Sequence, residues 1–168
     1  DSKTIYFQSE ESGYSHLYTF DLKTKTKMAL TSGAFEIHEV LIAKDSNSFY
    51  LSTNQLHPGT RTFYRLDLKT LRMSTILEAF GAYEVQLSPD EKHLAYRFST
   101  STQPWELFTC SLKNPKDQVQ LTFSTTEIFR TYSWQKPEVI SFKASDGVAV
   151  FARLYAPKPE VKNGAAVL

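Results

Sequence analysis

Ile5-Tyr6-Phe7, then Leu17-Tyr18-Thr19-Phe20, then Asp21-Leu22-Lys23-Thr24, then Leu30-Thr31 is a pattern this chain writes three times. The second copy runs from Phe49-Tyr50-Leu51 through Phe63-Tyr64-Arg65-Leu66 and Asp67-Leu68-Lys69-Thr70 to Ile76-Leu77. The third runs from Leu94-Ala95-Tyr96 through Leu107-Phe108-Thr109-Cys110 and Ser111-Leu112-Lys113 to Leu121-Thr122. Successive copies start 44 and 45 residues apart. Each holds strand-like runs bounded by polar turns, and further strand-like runs lie between the copies at Glu36–Ala43, Tyr83–Ser88 and Glu127–Trp134. Each of these would be the first strand of the next unit. A period near this length, built from four short strands, is the mark of a β-propeller blade. One blade cannot bury its own faces and depends on its neighbours. Three blades do not close a ring, so the expectation is an all-β partial propeller of about three four-stranded antiparallel blades, cut from something larger.

Composition agrees with a globular β-protein. Hydrophobic residues make up 41% and aromatics 14%, and the aromatics are mostly Phe and Tyr, which suit pleated, half-buried surfaces. No stretch before Gln135 keeps a helical apolar period without a turn residue. With 19 basic and 18 acidic residues the net charge is +1, and the charges do not cluster, so neither nucleic acid nor an anionic membrane is an expected partner. No apolar run approaches the ~20 residues of a membrane span. Cys110 is the only cysteine; it shares strand parity with Phe108 and Leu112 and is expected in the core. No signal peptide stands at Asp1, as expected of a chain that starts inside a longer protein.

The rhythm changes after Lys136. Residues 1–136 are the expected propeller blades, and residues 137–168 a linker with the first strands of another domain. Val139-Ile140-Ser141-Phe142-Lys143, the turn Ser145-Asp146-Gly147 and the run Val148–Tyr155 predict a hairpin. Asp-Gly is the signature of a type I′ turn, which needs positive φ. Gly164–Leu168 predicts the start of a further strand.

Candidate chemistry is sparse. Gly13-Tyr14-Ser15-His16-Leu17 fills four places of G-x-S-x-G and fails at the fifth. A nucleophile elbow needs a strand before and a helix after, whereas a strand follows Ser15, so the segment reads as a hairpin turn. His16, His38, His57 and His93 lack metal-ligand spacing, and neither a metal site nor a cofactor is expected. Glu36 and His38 share a strand face, as a buried or channel-facing pair or a solvated edge. His57, in a Pro-Gly turn, is expected to be exposed. Glu10-Glu11 reads as solvated turn carboxylates. Trp105 and Trp134 are expected between blades, and Tyr14, Arg130 and Tyr132 are left as residues that could face a central channel. No catalytic residue is assigned, and the substrate-binding residues stay unassigned.

These residues resemble a known family. Ser12-Gly13-Tyr14-Ser15-His16-Leu17-Tyr18 with Leu30-Thr31-Ser32-Gly33-Ala34-Phe35-Glu36-Ile37 is similar to late blades of dipeptidyl peptidase IV-like proteins, in the prolyl oligopeptidase family of serine peptidases. Ser88-Pro89-Asp90-Glu91-Lys92-His93-Leu94-Ala95-Tyr96 resembles the Ser-Pro-Asp-Gly turn of many propellers. Glu91 stands where glycine is usual, so that turn is expected to avoid positive φ. Phe142-Lys143-Ala144-Ser145-Asp146-Gly147 with Leu154-Tyr155-Ala156-Pro157 looks like the entry to the family's α/β-hydrolase domain. The resemblance covers essentially the whole chain. It implies a peptidase acting on short peptides, with Ser, His and Asp beyond Leu168, a propeller that restricts access to them, and an exported or periplasmic setting. This chain alone would then be inactive, and its uncovered blade edges and faces would drive self-association. The alternative is a non-catalytic propeller that binds a protein or periplasmic ligand.

Overall fold

The computed structural model describes residues 3–157, 159 and 163–165. They fall into two compact units divided between Ser124 and Thr125. The first unit is a succession of three antiparallel sheets. Blade I holds β1 (Thr4–Ser9), β2 (His16–Asp21) and β3 (Lys27–Ala29), in the order β1-β2-β3. Blade II holds β4 (Ile37–Ile42), β5 (Ser48–Thr53), β6 (Thr62–Asp67) and β7 (Met73–Leu77), in simple sequence order. Blade III repeats that arrangement with β8 (Ala82–Leu87), β9 (His93–Ser99), β10 (Glu106–Ser111) and β11 (Val119–Gln120). The expected four-stranded antiparallel blades are therefore present, two of them complete among the described residues and blade I with three strands.

The repeated Asp-Leu-Lys-Thr has a local cause. Asp21 Oδ1 accepts from the N–H groups of Lys23 and Thr24 at 2.8 and 2.7 Å, and Asp67 Oδ1 accepts from those of Lys69 and Thr70 at 3.1 and 2.7 Å. Each carboxylate reinforces a turn that is also closed by the N–H of Lys25 or Leu71 donating to the Asp21 or Asp67 carbonyl. The next residue, Lys25 or Leu71, then takes a left-handed φ of 58° or 54°. In blade III Ser111 Oγ does a weaker version of the same work, accepting from Lys113 N at 3.2 Å.

Alternation decides which face each side chain takes. Phe49, Leu51 and Leu66 of blade II face blade I and pack with Leu17, Leu30, Phe35 and Ile37. Tyr50 and Phe63 take the opposite face, with Ala43 and Leu77, and meet Tyr83, Val85, Leu94, Tyr96 and Cys110 of blade III. Tyr50 stacks on Phe63 with ring centroids 5.8 Å apart, and Tyr96 on Phe108 at 5.6 Å. Burying each such side chain contributes roughly 1.5–3 kcal/mol, so these two cores hold the stack together. Cys110, 4% exposed, lies in the second core as its strand parity required, and burial raises its thiol pKa.

A buried polar residue starts the second strand of blade I and the third strand of blades II and III: His16, Thr62 and Glu106 are at most 2% exposed. His16 bonds the Thr31 hydroxyl at 3.0 Å and the Gly33 carbonyl at 2.9 Å through its two ring nitrogens. Glu106 accepts from the Ser124 N–H and hydroxyl, both at 2.7 Å, and from the Thr122 hydroxyl at 2.5 Å. Thr31 and Thr122 also accept the N–H groups of Leu17 and Leu107. The Leu-Thr that closes the first and third copies is thus a side-chain clasp just past β3 and β11, not part of a strand.

The structure departs from the sequence expectations at several further points. Glu127–Thr131 is a short helix, α1, not a strand. Thr126 caps it by accepting from Phe129 N at 3.1 Å, and Glu127 lies in its first turn, a start signal that the β-rich context obscured. Glu91 does adopt positive φ, at 53°, as Ser46 does at 55° in the matching turn of blade II. The two end faces are also unlike each other. The outer face of blade I is mostly apolar, with Ile5, Phe7, Tyr18 and Phe20, and Lys27 lying opposite Phe20 with its ammonium 5.7 Å from the centroid of the Tyr18 ring. The outer face of blade III carries Glu84, Gln86 and Arg97, which share that face by strand register.

The second unit contains α1 and a hairpin of β12 (Glu138–Lys143) and β13 (Ala149–Leu154). Its turn is not type I′: only Gly147 is left-handed, at φ 86°, after a turn closed by Gly147 N–H donating to the Ala144 carbonyl at 2.9 Å. Asp146 Oδ1 accepts from Val148 N at 3.0 Å, which favours this alternative. Ala166, Val167 and Leu168, the body of the strand expected at the chain end, lie outside the described residues.

Candidate functional site

The first strands of blades II and III both carry a glutamate at the same register. Glu39 of β4 lies opposite Ser52, and Glu84 of β8 lies opposite Arg97. The two acids are 45 residues apart, one full repeat. They line a cavity of about 740 Å³ whose walls include His38 and Arg61 from blade II and Ala95 and Trp105 from blade III.

Their partners separate them. Arg97 Nε donates to Glu84 Oε2 at 2.9 Å, its Nη2 completes the ion pair, and its guanidinium lies 5.2 Å from the centroid of the Trp105 ring. Ser52 holds the matching position opposite Glu39 and brings no charge. Burial, followed by the nearby Glu84 charge, raises the Glu39 pKa. Burial, followed by the Arg61 charge, lowers that of His38, so the imidazole favours its neutral form. Tyr83, on the same wall, is pushed up to about 12, mainly by burial. The cavity therefore combines a carboxylate paired with Arg97, a second carboxylate opposite the uncharged Ser52, an imidazole whose neutral form is favoured, two guanidinium groups and an exposed indole.

The residues singled out from the sequence mostly lie elsewhere. Ser15 precedes β2, where its N–H donates to Glu36 Oε2 at 2.5 Å and its hydroxyl accepts from Gln8 Nε2 at 3.2 Å. The Glu36 contact ties blade I to the approach of blade II, as does Gln8 Nε2 donating to the Ile37 carbonyl at 3.0 Å. Glu11 pairs with Lys27 on the surface. His57 is half-buried, not exposed: its ring rests on Phe80 at 5.5 Å, and Nδ1 accepts from Gly59 N at 3.0 Å. His93 opens β9 and is exposed, as is Tyr14. Trp105 and Trp134 are 40% and 50% exposed, and neither belongs to the two cores between the described blades. Trp134 packs instead on Phe129, in the second unit with Arg130 and Tyr132. Of the sequence candidates, His38 and Trp105 reach the cavity. Glu39, Glu84, Arg61 and Arg97 were missed as site residues. The period that defined the blades was also the signal that pairs Glu39 with Glu84.

Repeated four-stranded sheets packed face to face define a segment of a β-propeller. Residues 1–105 match the family described as the dipeptidyl peptidase IV (DPP IV) N-terminal region, and the chain belongs to that family. It is 23% identical over 153 residues to a probable dipeptidyl peptidase 4 of Aspergillus clavatus, covering 88% of this chain and 20% of that protein. It also resembles the crystal structure of Porphyromonas gingivalis dipeptidyl peptidase 4, with a TM-score of 0.73 and 19% identity over 89% of this chain and 22% of that one. The chain thus spans about a fifth of the length of both relatives. It is a peptidase-related propeller segment of the dipeptidyl peptidase IV type. None of its described helices is long and apolar enough to cross a membrane.

Proposed function

We propose that these blades belong to a longer serine peptidase, in which they gate the passage of short peptides to a Ser-His-Asp catalytic domain. The observation that carries this reading is the family match over residues 1–105, followed at Glu138–Leu154 by a hairpin in a separate unit. In this reading residues 137–168 are the linker and first strands of an α/β-hydrolase domain. The reaction of the longer protein is acyl transfer from short peptides, of the dipeptidyl type, to an activated serine outside this chain. The first strand of each blade lines the central channel of a propeller, which would put Glu39 and Glu84 on the path of an entering peptide.

The test compares this 168-residue chain with the protein encoded by an extended reading frame. The extended protein should cleave a dipeptidyl chromogenic amide and react with an active-serine reagent beyond Leu168, while this chain alone does neither. Gating adds a second expectation. In the extended protein, E84Q and R97A should change kcat/KM for longer peptides and leave the small amide unaffected. A stop codon soon after Leu168, or a further propeller repeat, would replace the peptidase reading with the binding-module one.

Alone, this chain leaves the mostly apolar face of blade I only partly covered, with Ile5 exposed, and the edge of β1 unpaired among the described residues. Self-association in sedimentation experiments is expected, and F20K, on that face, should reduce it. A monomer at all concentrations would count against this.

A further inference from the structure

Glu91 occupies the turn between β8 and β9 at φ 53°, a conformation that glycine adopts freely and L side chains adopt at a cost. Its carboxylate does not serve its own turn. One oxygen accepts from the N–H of Lys44, which lies in the turn between β4 and β5 of blade II. The other accepts from the hydroxyl of Tyr50 at 3.3 Å. Tyr50 is 1% exposed and belongs to the core between blades II and III. The receiving turn is held from its other side as well: Arg65 Nη2 donates to Asp45 Oδ2 at 2.7 Å, with the guanidinium 6.0 Å from the centroid of the Tyr50 ring.

The matching turn of blade II supplies a control within the molecule. Ser46 holds the same place at φ 55°, and among the described residues its side chain makes no hydrogen bond to blade I. The left-handed backbone is therefore a property of the turn, whereas the reach across the junction is a property of the glutamate.

We propose that Glu91 is an inter-blade latch, a positioning residue that fixes blade III on blade II through Lys44 and Tyr50. The latch sets the spacing of β4 and β8, and with it that of Glu39 and Glu84. It operates whatever passes along the channel.

Hydrogen exchange on the 168-residue chain tests this. Lys44 is exposed, so the slowing of its amide exchange comes from its hydrogen bond to Glu91. E91S, which copies the residue of the blade II turn, and E91G, which removes the backbone cost, should both speed Lys44 exchange about tenfold or more. Ladder amides of β5 should keep their rates. E91Q retains an accepting oxygen and should stay close to the parent. Carbon-13 titration adds a readout that a purely local turn residue would not move: the Glu39 midpoint should fall in E91S and E91G and hold in E91Q. Unchanged Lys44 exchange in E91S and E91G would overturn the proposal. So would a higher melting temperature of E91G with the Glu39 titration unmoved, because Glu91 would then be a strained turn residue and nothing more.

Discussion

The junction between blades I and II and the junction between blades II and III are built on one plan and locked differently. Both bury alternate side chains of facing sheets. The first junction is tied near Ser15, where Ile37 N donates to the Ser15 carbonyl, Glu36 receives the Ser15 N–H, and His16 meets the Phe35 ring edge-on at 4.8 Å. The second is tied at Gly81, whose carbonyl accepts from Arg61 N at 2.9 Å, and again at Glu91. Its core is also richer in aromatic rings, with Tyr50, Phe63, Tyr83 and Tyr96. The apolar plan recurs because alternation and the repeat period enforce it. The backbone ties at Ser15 and at Arg61 fall at matching places, whereas the side-chain ties through Glu36 and Glu91 do not recur, because each needs one side chain of the right length in one turn.

The comparison breaks most sharply in the cores. F63A, at a fully buried position, should cost about 3–5 kcal/mol in urea denaturation, and L51A in the other junction about 2–5 kcal/mol. Site-resolved exchange should place the first loss between blades II and III and the second between I and II. If both variants loosen both junctions equally, the blades melt as one unit and the junctions are not separable.

Next come the buried polar clasps. E106A leaves the Thr122 and Ser124 donors without their acceptor and should cost about 1–3 kcal/mol. H16A, the blade I counterpart, should fall in the same range. Equal melting temperatures for E106A and the parent would show that solvent replaces the carboxylate at no cost.

The smallest effect concerns pH. The Glu39 carboxyl holds its proton more tightly in the folded chain than in the unfolded one. Its contribution to stability is thus most favourable at low pH and is lost as pH rises from the ordinary glutamate range through the raised folded value. E39Q should raise the melting temperature at pH 7, and the gain should vanish once the wild-type carboxyl is protonated in both states. The group is partly solvated, so the gain should be below about 1 kcal/mol. E84Q should do the opposite, since it removes the partner of Arg97.

Much of this molecule was legible in the chain. Asp21 and Asp67 mark their turns, Tyr50 and Phe49 their opposite faces, and the spacing of Ile5, Phe49 and Leu94 the blade. These signals are local, so residue type and period suffice to read them. Thr126 shows the limit of that reading, since a capping threonine ahead of an acid starts a helix even in a strand-rich chain.

The sequence by itself determined the all-β class, the count of blades, the burial of Cys110 and the hairpin around Gly147, because alternation and turn chemistry act within a few residues. Only the tertiary structure decided that Glu39 is half-buried near Glu84, that Arg97 neutralises one acid and not the other, and that Glu91 reaches Lys44 across 47 residues of chain. Those facts depend on how one sheet lies on the next. Charge coupling and desolvation are set by distances through space, which a single sequence does not contain.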